Sequence, residues 1–398
     1  MHKFNRRELM LGGTALGSIG ALQAAVKPVR ITDVDLFEIN IPVSQAEAEA
    51  GLQHRFGVAK VITDAGVTGY SFAGAPRRAL AEVKQVLVGK DLFNVDTQVR
   101  EGLGRWGGVE HAVWDAIGKI ANQPVYKLLG GAQDRVTAYL TCVWKGAADQ
   151  QQVPFQQQVD MAVRIEKAGF QGMKIRAWRP NPMDDVTVCE EIRAAVGKDF
   201  KVMFDRTAHM PVSMAGQKVW DYETGLKVAR GLEAAGAYWL EEPFAREDYE
   251  TPAKLARAVD LAITGGEGYS TLEPYRQCLL HQTYDILQPD GRQAGGIYMC
   301  RKVGILAESF HVPCILHGSM GLTLAGWLQA TLAIGSPLQE IALISPPLLP
   351  EEQWSPGLKV LKSKAMFSFE NGALVAPPYP GIGLDIDEEA VERYRVKT

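Results

Sequence analysis

The sequence predicts an α/β protein in which a (β/α) barrel follows a smaller α+β region. Two observations predict this fold. Between residues 28 and 135, strand-like alternation is followed by an amphipathic helix, which is typical of a sheet with a helical cover. Beyond residue 135, eight short β-rich runs alternate with helical stretches over about 210 residues, and this repeat is typical of a parallel barrel.

The composition excludes several classes of protein. The 398 residues include 42 Lys and Arg against 46 Asp and Glu, a formal net charge of −4, with 46% hydrophobic side chains. Disordered chains are more charged and less apolar, collagens show a glycine period, and transporters show repeated long apolar runs. Because Lys and Arg never cluster beyond a dipeptide, a nucleic-acid partner is not expected, and a small molecule is the better candidate ligand.

Residues 1–25 are typical of an export signal. Basic residues precede the apolar, small-residue stretch from Leu9 to Ala25, and Arg6-Arg7 resembles a twin-arginine motif. The stretch has 17 residues, fewer than the ~20 that span a bilayer. We expect cleavage and a periplasmic protein without a stable membrane anchor. An uncleaved anchor or a surface helix is the alternative, and without a functional signal the protein would be cytoplasmic.

The five cysteines do not predict a disulfide framework. Cys142, Cys189, Cys278, Cys300 and Cys314 are odd in number and widely spaced, and they form no Cys-x-x-Cys pair. We therefore expect buried free thiols and no thiolate metal site.

Residues 28–135 are predicted to form the α+β domain. Val29–Asn40 and Ala59–Phe72 alternate apolar and polar residues, and Asp64-Ala65-Gly66 is a hairpin turn signal. Apolar side chains from Val109 to Ile120 recur at helical spacing. This helix is expected to cover an antiparallel sheet.

Residues 136–349 are predicted to form the barrel. The Pro- and Gly-rich segment 350–398 is expected to return to the N-terminal domain and complete it. The eight strand-like runs are Val136–Trp144, Gly172–Trp178, Lys201–Thr207, Tyr238–Pro243, Leu261–Glu267, Asp285–Asp290, Pro313–Gly318 and Leu338–Leu343.

Polar and charged residues stand where these runs end. In a barrel the carboxyl ends of the strands converge on one mouth, which is where catalytic residues lie. A single such carboxylate is usually a helix cap or a surface ion pair, but a consistent series predicts a functional site. The series is Lys174-Ile175-Arg176, Asp205-Arg206-Thr207, Glu241-Glu242-Pro243, Gly266-Glu267, Pro289-Asp290, Leu316-His317-Gly318 and Gln339-Glu340.

Three carboxylates in this series indicate a cation. Asp205, Glu241 and Glu267 come from consecutive strands, and like charges so close are unfavourable unless a cation binds them. Oxygen ligands alone favour a hard divalent ion, most simply Mg²⁺. Asp290 next to His317 would orient the imidazole as a general base or acid.

The ordered motifs resemble those of the mandelate racemase subgroup of the enolase superfamily. Val125-Tyr126-Lys127-Leu128-Leu129-Gly130-Gly131 before the barrel and Pro380-Gly381-Ile382-Gly383 near the end extend the resemblance over about residues 28–390. It implies an α+β capping domain over a modified (β/α)7β TIM-type barrel, Mg²⁺, and abstraction of the proton α to a carboxylate.

Roles follow from the resemblance, motif by motif. It implies that Asp205, Glu241 and Glu267 are the metal ligands and that Asp290 with His317 is the base dyad. It further implies that Glu340 is an electrophilic group beside the substrate carboxylate, with Lys174 as a second cation there. Crowding among carboxylates would raise the pKa of Glu340 and keep it protonated as a hydrogen-bond donor.

Two positions depart from the family pattern. Arg176 stands where a second Lys often acts as a base, and a guanidinium with a pKa above ~12 is a poor base. Racemisation needs a base on both faces of the substrate, whereas elimination can use His317 alone. The family's Asp-x-Asn is also altered to Asp205-Arg206-Thr207, which puts a contact behind the metal ligand in doubt.

The sequence therefore favours an acid-sugar dehydratase that converts an aldonate or aldarate to a 2-keto-3-deoxy acid. A racemase or epimerase of 2-hydroxy acids, with Lys174 as the other base, is the first alternative. A non-catalytic periplasmic sugar-acid binding protein is the second, and the Asp290 and His317 pair argues against it. We expect a homo-oligomer. The loop Pro42–Gly57 is the candidate specificity segment, and further candidates to line the pocket are His54, Arg55, Lys145, Trp178 and His209.

Overall fold

The computed structural model of the protein describes residues 27–131, 133–144, 152–208, 218–344 and 348–397. The predicted export signal at residues 1–25 lies outside the described residues, as do the pocket candidates Lys145 and His209.

An antiparallel sheet forms the N-terminal part of the described chain. Its strands are β1 (Ile31–Asn40), β2 (Arg55–Thr63) and β3 (Thr68–Ser71), paired in that order. The predicted turn at residues 64–66 joins β2 to β3, and Gly66 there has a φ of 72°, which glycine adopts without strain. β2 begins at Arg55, four residues before the predicted run.

Helices α2 (Leu80–Leu87) and α4 (Gly107–Ala121) pack on this sheet. The same part of the chain contains α1 (Gln45–Glu49), α3 (Val95–Glu101) and α5 (Val125–Leu128).

Helix α4 packs directly on β3, as its apolar face predicts. A Cβ at Gly69 would lie 2.0 Å from the Ala112 carbonyl oxygen, so only glycine permits this approach. The buried Asp115 carboxylate accepts hydrogen bonds from the amides of Tyr70 (2.8 Å) and Ile382 (3.0 Å). It thereby joins the helix, the sheet and the C-terminal segment.

The second sheet is the barrel. Parallel pairing runs β4 to β9 in sequence order, and β10 pairs with the other edge of β4. The strands are β4 (Arg135–Val143), β5 (Gly172–Arg176), β6 (Lys201–Asp205), β7 (Trp239–Glu241), β8 (Ala262–Gly265), β9 (Ile286–Leu287) and β10 (Leu338–Ile344).

The run predicted at Pro313–Gly318 is the irregular member of the barrel. It makes single bridges, Leu287 to Cys314 and Asp290 to His317, and Ser319 then bridges to Ile341 in β10. These contacts close the ring between β9 and β10. A separate cluster of buried side chains fills the interior, and it includes Tyr139, Met203 and Trp239.

Helices alternate with the barrel strands. In the described part of the chain none of them is long and apolar enough to cross a membrane. They are α6 (Phe155–Lys167), α7 (Met183–Ala195), α8 (Tyr222–Ala234), α9 (Glu250–Ala256), α10 (Leu272–His281), α11 (Ile297–Glu308) and α12 (Leu324–Ile334). Short 3-10 turns occupy Arg77–Ala79, Leu103–Trp106, Gly321–Thr323 and Ser355–Val360.

The C-terminal segment contacts both domains, which differs in part from expectation. It contains α13 (Pro350–Gln353), β11 (Ser368–Glu370), β12 (Ala373–Val375) and α14 (Glu388–Arg393). β12 pairs antiparallel with β4, so this hairpin extends the barrel sheet. The end of the chain returns to the N-terminal sheet, where the Val396 amide donates to the Glu38 carbonyl (2.9 Å).

The five cysteines lie among the described residues, and all are buried free thiols. Burial raises the pKa of Cys142, among others. No disulfide joins them, as their number and spacing predict.

Candidate active site

Three charged residues stand side by side at the carboxyl ends of neighbouring strands. Arg176 in β5 is in register with Asp205 in β6, and Asp205 is in register with Glu241 in β7. Parallel pairing places residues in register next to each other across the sheet. The strand-end series that the sequence singles out therefore converges at the barrel mouth.

Lys174 lies at the centre of this side of the mouth. Its fully buried Nζ is 2.7 Å from Glu241 Oε2, 2.9 Å from Glu340 Oε1 and 3.7 Å from Asp205 Oδ2. Burial alone would lower the pKa of Lys174, but the surrounding carboxylates outweigh it and raise that pKa. This environment therefore favours the protonated form of Lys174.

Arg176 contacts Asp205 and Thr207. Its Nη1 donates to Asp205 Oδ2 and to Thr207 Oγ1, the latter at 2.8 Å, and the Thr207 hydroxyl donates to Asp205 Oδ1 at 2.8 Å. Thr207 has a φ of 47°, an uncommon conformation for a β-branched residue. The residue that replaces the family's Asn thus still holds the Asp205 carboxylate in place.

Glu241 and Glu242 are both buried, but they serve different contacts. Glu241 Oε2 accepts from Lys174 and, at 3.0 Å, from Gln288 Nε2. Burial and the nearby Asp205 raise the pKa of Glu241 to about 8. Glu242 pairs instead with Arg246 at 3.2 Å. The structure therefore brings Glu241, and not Glu242, into the charged cluster.

His317 and Asp290 form the opposite side of the mouth. His317 Nδ1 donates to Asp290 Oδ2 (2.9 Å), and Asp290 Oδ1 accepts from the amides of Arg292 (2.8 Å) and Gln293 (2.7 Å). Burial alone would lower the pKa of His317, but the charges of Glu267 and Glu340 and the hydrogen bond to Asp290 raise it to about 10. Its Nε2 lies 3.6 Å from Glu267 Oε1.

Glu340 is surrounded by hydrogen-bond donors. It accepts from Thr141 (2.5 Å), Tyr139 (3.0 Å) and the Gly318 amide (3.0 Å), as well as from Lys174. Burial alone would raise the pKa of Glu340, but the charges of Lys174 and His317 lower it to about 2. An ionised carboxylate is an acceptor of hydrogen bonds, whereas the predicted role of Glu340 as a donor requires its protonated form and stays a prediction.

A cationic side chain, that of Arg176, stands among the predicted metal ligands. Within the residues that the structure describes, no three His, Cys, Asp or Glu side chains are grouped closely enough to hold a metal ion. Arg176 binds Asp205, and the charges of Asp205, Glu267 and Glu241 all act on its guanidinium. The donor set of three carboxylates fits a hard divalent cation in its chemistry.

A cavity of about 410 Å³ opens between these two sides. Arg176, Glu267, His317 and Glu340 line it together with Trp327. A substrate in this cavity would contact the base candidate and the charged cluster at the same time. We call it the reaction cavity.

The other residues predicted to line the pocket lie in different places. Arg55 lines a neighbouring cavity. Trp178 is buried and donates to the Arg206 carbonyl (3.0 Å), and its ring lies 5.9 Å from the Arg176 guanidinium. His54 is half-buried, with Nδ1 2.9 Å from the Leu52 carbonyl. Neither is among the residues that line the two cavities.

Sequence reasoning missed the hydrogen-bond partners of the charged residues. Tyr139 and Thr141 hold Glu340, and Gln288 holds Glu241. The spacing of Tyr139 and Thr141 is the two-residue period of side chains on one face of a strand. That period could have pointed to both residues, whereas Gln288 gives no comparable signal.

Helix α4 also supports the mouth through two buried residues that sequence reasoning did not identify. His111 Nε2 lies 3.0 Å from the carbonyl of Gly291, the residue after Asp290. Glu110 accepts from the amides of Ile297 (2.8 Å) and Tyr298 (2.9 Å) at the start of α11. The capping helix therefore holds the chain segment that carries Asp290 at both ends.

Comparison with known families gives a match over most of the barrel. A family model described as enolase C-terminal domain-like matches residues 157–390.

Two curated relatives and one solved structure are similar over most of their lengths. An arabinonate dehydratase from Saccharolobus solfataricus is 30% identical over 73% of this chain and 72% of its own. A D-galactonate dehydratase from Ralstonia nicotianae is 31% identical over 86% of this chain and 92% of its own. The crystal structure of D-glucarate dehydratase from Agrobacterium tumefaciens, complexed with magnesium, superimposes with a TM-score of 0.76 at 25% identity, covering 92% of this chain and 99% of that one.

Proposed function

The chain belongs to the enolase superfamily, and we propose that it dehydrates an acid sugar to a 2-keto-3-deoxy acid. It is an enzyme of the lyase class, as its dehydratase relatives are. The proposed reaction removes the proton α to the substrate carboxylate, forms an enolate, and expels the β-hydroxyl group. The relatives act on arabinonate, galactonate and glucarate, which supports an acid sugar as the substrate.

One observation carries elimination in preference to racemisation. Among the described residues that line the reaction cavity, His317 is the candidate base on one side and Arg176 is a cation on the other, while the second cation, Lys174, is fully buried against Glu241 and Glu340. Since inversion at the α carbon needs a second base on the opposite face, these cations leave that face without one. They can instead bind and stabilise negative charge on the enolate.

Asp205, Glu241 and Glu267 are the residues that would hold Mg²⁺. The ion would act as a Lewis acid on the substrate carboxylate. A cation bound by Glu267 would also remove part of the negative charge that raises the pKa of His317. The imidazole would then be neutral more often and able to accept the α proton.

His317 can serve both proton transfers of the elimination. With Nδ1 committed to Asp290, Nε2 is the ring atom left to accept the α proton. The imidazolium formed in this way is stabilised by Asp290, and it can return the proton to the departing hydroxyl group as water.

A library of acid sugars tests this function. Aldonates and aldarates are incubated with the protein and Mg²⁺, and 2-keto acid is measured as its semicarbazone. We expect product from a small stereochemical set, and none with the matched His317→Asn variant. Failure of every library member, or equal product from the variant, would overturn the proposal.

We propose that residues 1–25 direct export through a twin-arginine route. The support is the Arg6-Arg7 pair before the apolar stretch. Fractionation of cells that carry the Arg6→Lys, Arg7→Lys double variant should find the protein retained inside. An unchanged periplasmic amount would reject this assignment. The predicted homo-oligomer is checked by light scattering of the purified protein.

A further inference from the structure

A second cavity of about 520 Å³ lies between the N-terminal sheet and the barrel mouth. Three arginines from separate parts of the chain line it. Arg55 is the first residue of β2, Arg77 begins a 3-10 turn after β3, and Arg292 follows β9. We call it the arginine cavity.

The arginine cavity adjoins the reaction cavity. Arg292 and Thr323 line both spaces, so a ligand that spans the two cavities would contact both residues. Arg292 lies next to the base dyad of Asp290 and His317, because its backbone amide donates a hydrogen bond to Asp290 Oδ1 (2.8 Å). A group in the arginine cavity would therefore belong to the end of the substrate away from the reacting carboxylate.

The charge of the arginine cavity selects an anion. Among the described residues that line it, Glu38 is the carboxylate that opposes the three guanidinium groups. Phe56 and Phe72 supply apolar walls beside the guanidinium groups, and hydrogen bonds between a guanidinium group and an anion are charge-assisted. Guanidinium groups bind carboxylates through paired hydrogen bonds, so they favour a planar anion over a hydroxyl group.

We infer that the arginine cavity binds a second, terminal carboxylate of the substrate, which makes the preferred substrate an aldarate and not an aldonate. The inference rests on the proposed function for the identity of the acid sugar. The named relatives leave this choice open, since arabinonate and galactonate carry one carboxylate and glucarate carries two. The arginine cavity decides between them by charge.

Paired ligands and paired variants test the inference. D-glucarate and D-gluconate differ at the terminal carbon, which is a carboxylate in the first and a hydroxymethyl group in the second. Galactarate and galactonate form a second such pair. Binding is measured by calorimetry with Mg²⁺ present, and kcat/KM is measured wherever product forms. The protein variants are Arg55→Gln, Arg77→Gln and their combination, with Arg78→Gln as the matched control because exposed Arg78 does not line the cavity.

We expect the wild-type protein to prefer the aldarate in at least one pair. The double variant should weaken aldarate binding by about tenfold to a hundredfold, the range for hydrogen bonds to charged groups. Aldonate binding should be unchanged in the double variant. The Arg78→Gln control should bind both ligands as the wild-type protein does. Because Arg55 and Arg77 lie at the surface, their loss should not unfold the protein, and an unchanged melting temperature checks this.

The outcomes separate the inference from the proposed function. Aldonates that are bound and converted as well as aldarates, with no effect of the double variant, would overturn the inference and leave the dehydratase intact. Absence of product from every acid sugar would overturn the proposed function, while the binding ratios would still judge the cavity. Tighter binding of 6-phosphogluconate than of glucarate would assign the cavity to a phosphate and reject the carboxylate.

Discussion

On the side of the mouth formed by β5, β6 and β7, three charged groups are sealed from solvent and bound to one another, while Arg176 borders the cavity. Lys174, Asp205 and Glu241 are each at most 1% exposed, and the ammonium group contacts both carboxylates. On the side formed by the ends of β8 and β9 and by the segment after residue 313, the groups border the cavity. His317 and Glu267 keep 17% and 15% of their side chains exposed.

The difference shows how one site can both hold charge and move a proton. Ion pairs in a buried cluster fix the positions and protonation states of their members, which suits the stabilisation of an enolate. Proton transfer requires a group that can exist in both forms and reach the substrate. His317 has one ring nitrogen fixed and the other near the cavity, so the open side performs the transfer and the sealed side supplies the field.

The largest effect should come from removing the group that moves the proton. His317→Asn should lower turnover by ~10⁴-fold or more, because general base and general acid catalysis are lost together. Mg²⁺ binding and the melting temperature should be retained. Turnover is measured with the substrate found in the library. A variant with more than a tenth of wild-type activity would show that the open side does not carry the proton.

Asp290→Asn should have a smaller effect than loss of the imidazole. It keeps a side chain of the same shape next to His317 Nδ1 but removes the charge that stabilises the imidazolium. We expect kcat to fall by ~10²-fold or more, with little change in Mg²⁺ affinity. An unchanged kcat would mean that the Asp290 contact is structural only.

Glu267→Gln tests whether the two sides share one cation. It is the predicted ligand that is partly exposed, so its change does not leave Lys174 buried without a partner. Mg²⁺ affinity, measured by calorimetry, should fall by more than the ~10- to 100-fold expected for groups that merely support a ligand. Glu273→Gln on α10 is the control, because Glu273 is an exposed carboxylate paired with Arg276. Equal Mg²⁺ affinity in the Glu267→Gln and Glu273→Gln proteins would show that the metal site has been assigned to the wrong residues.

Arg176→Met tests whether the Arg176 guanidinium competes with Mg²⁺ for the Asp205 carboxylate. Asp205 loses a partner in this variant, so the metal-free protein should melt at a lower temperature. Mg²⁺ should bind about tenfold more tightly, because it no longer competes with Arg176 for Asp205. The melting temperature with and without a chelator measures both effects. An identical gain from Mg²⁺ in the two proteins would contradict the competition.

The last effect is on stability and not on activity, and it concerns helix α4 behind the side of the mouth that carries His317. Burial lowers the pKa of His111 to about 4, whereas an unfolded histidine titrates near ~6.5. Between these values the unfolded state binds a proton that the folded state does not. Stability is therefore complete above pH ~6.5 and should decrease as the pH falls towards 4, by up to about 3 kcal/mol.

His111→Phe should remove this part of the pH dependence. The ring would keep its edge contact with Trp327, while the hydrogen bond to Gly291 would be lost. Denaturant unfolding at pH 7 and pH 5 measures the slope for both proteins. A variant whose stability falls as steeply as the wild type would show that another group causes the loss.

Much of the barrel could be predicted from the sequence because local pattern and position agree there. Short β-rich runs ending in Asp205 or Glu241 report both a strand and its carboxyl end. The family comparison confirms the enolase-superfamily resemblance. Alternation could not choose between Glu241 and Glu242, because both are buried and the φ of 43° at Glu242 breaks the strand pattern.

The rest depended on contacts between distant parts of the chain. The Glu340 carboxylate accepts hydrogen bonds from Tyr139 and Thr141, about 200 residues earlier in the chain. The arginine cavity gathers Arg55, Arg77 and Arg292 from both domains. Residue type and spacing carry no information about such long-range contacts, since each arginine alone resembles an ordinary surface charge.

The central claim, that one base on one side of the mouth performs an elimination, is tested most directly by the reaction in D₂O. Substrate recovered at partial conversion should keep its C2 configuration, because only His317 exchanges the proton and any return comes from the same face. The product should carry solvent deuterium at C3, as observed by ¹H NMR. Formation of the C2 epimer at a rate comparable to dehydration would reveal a second base, with Lys174 as the first candidate, and would contradict the account.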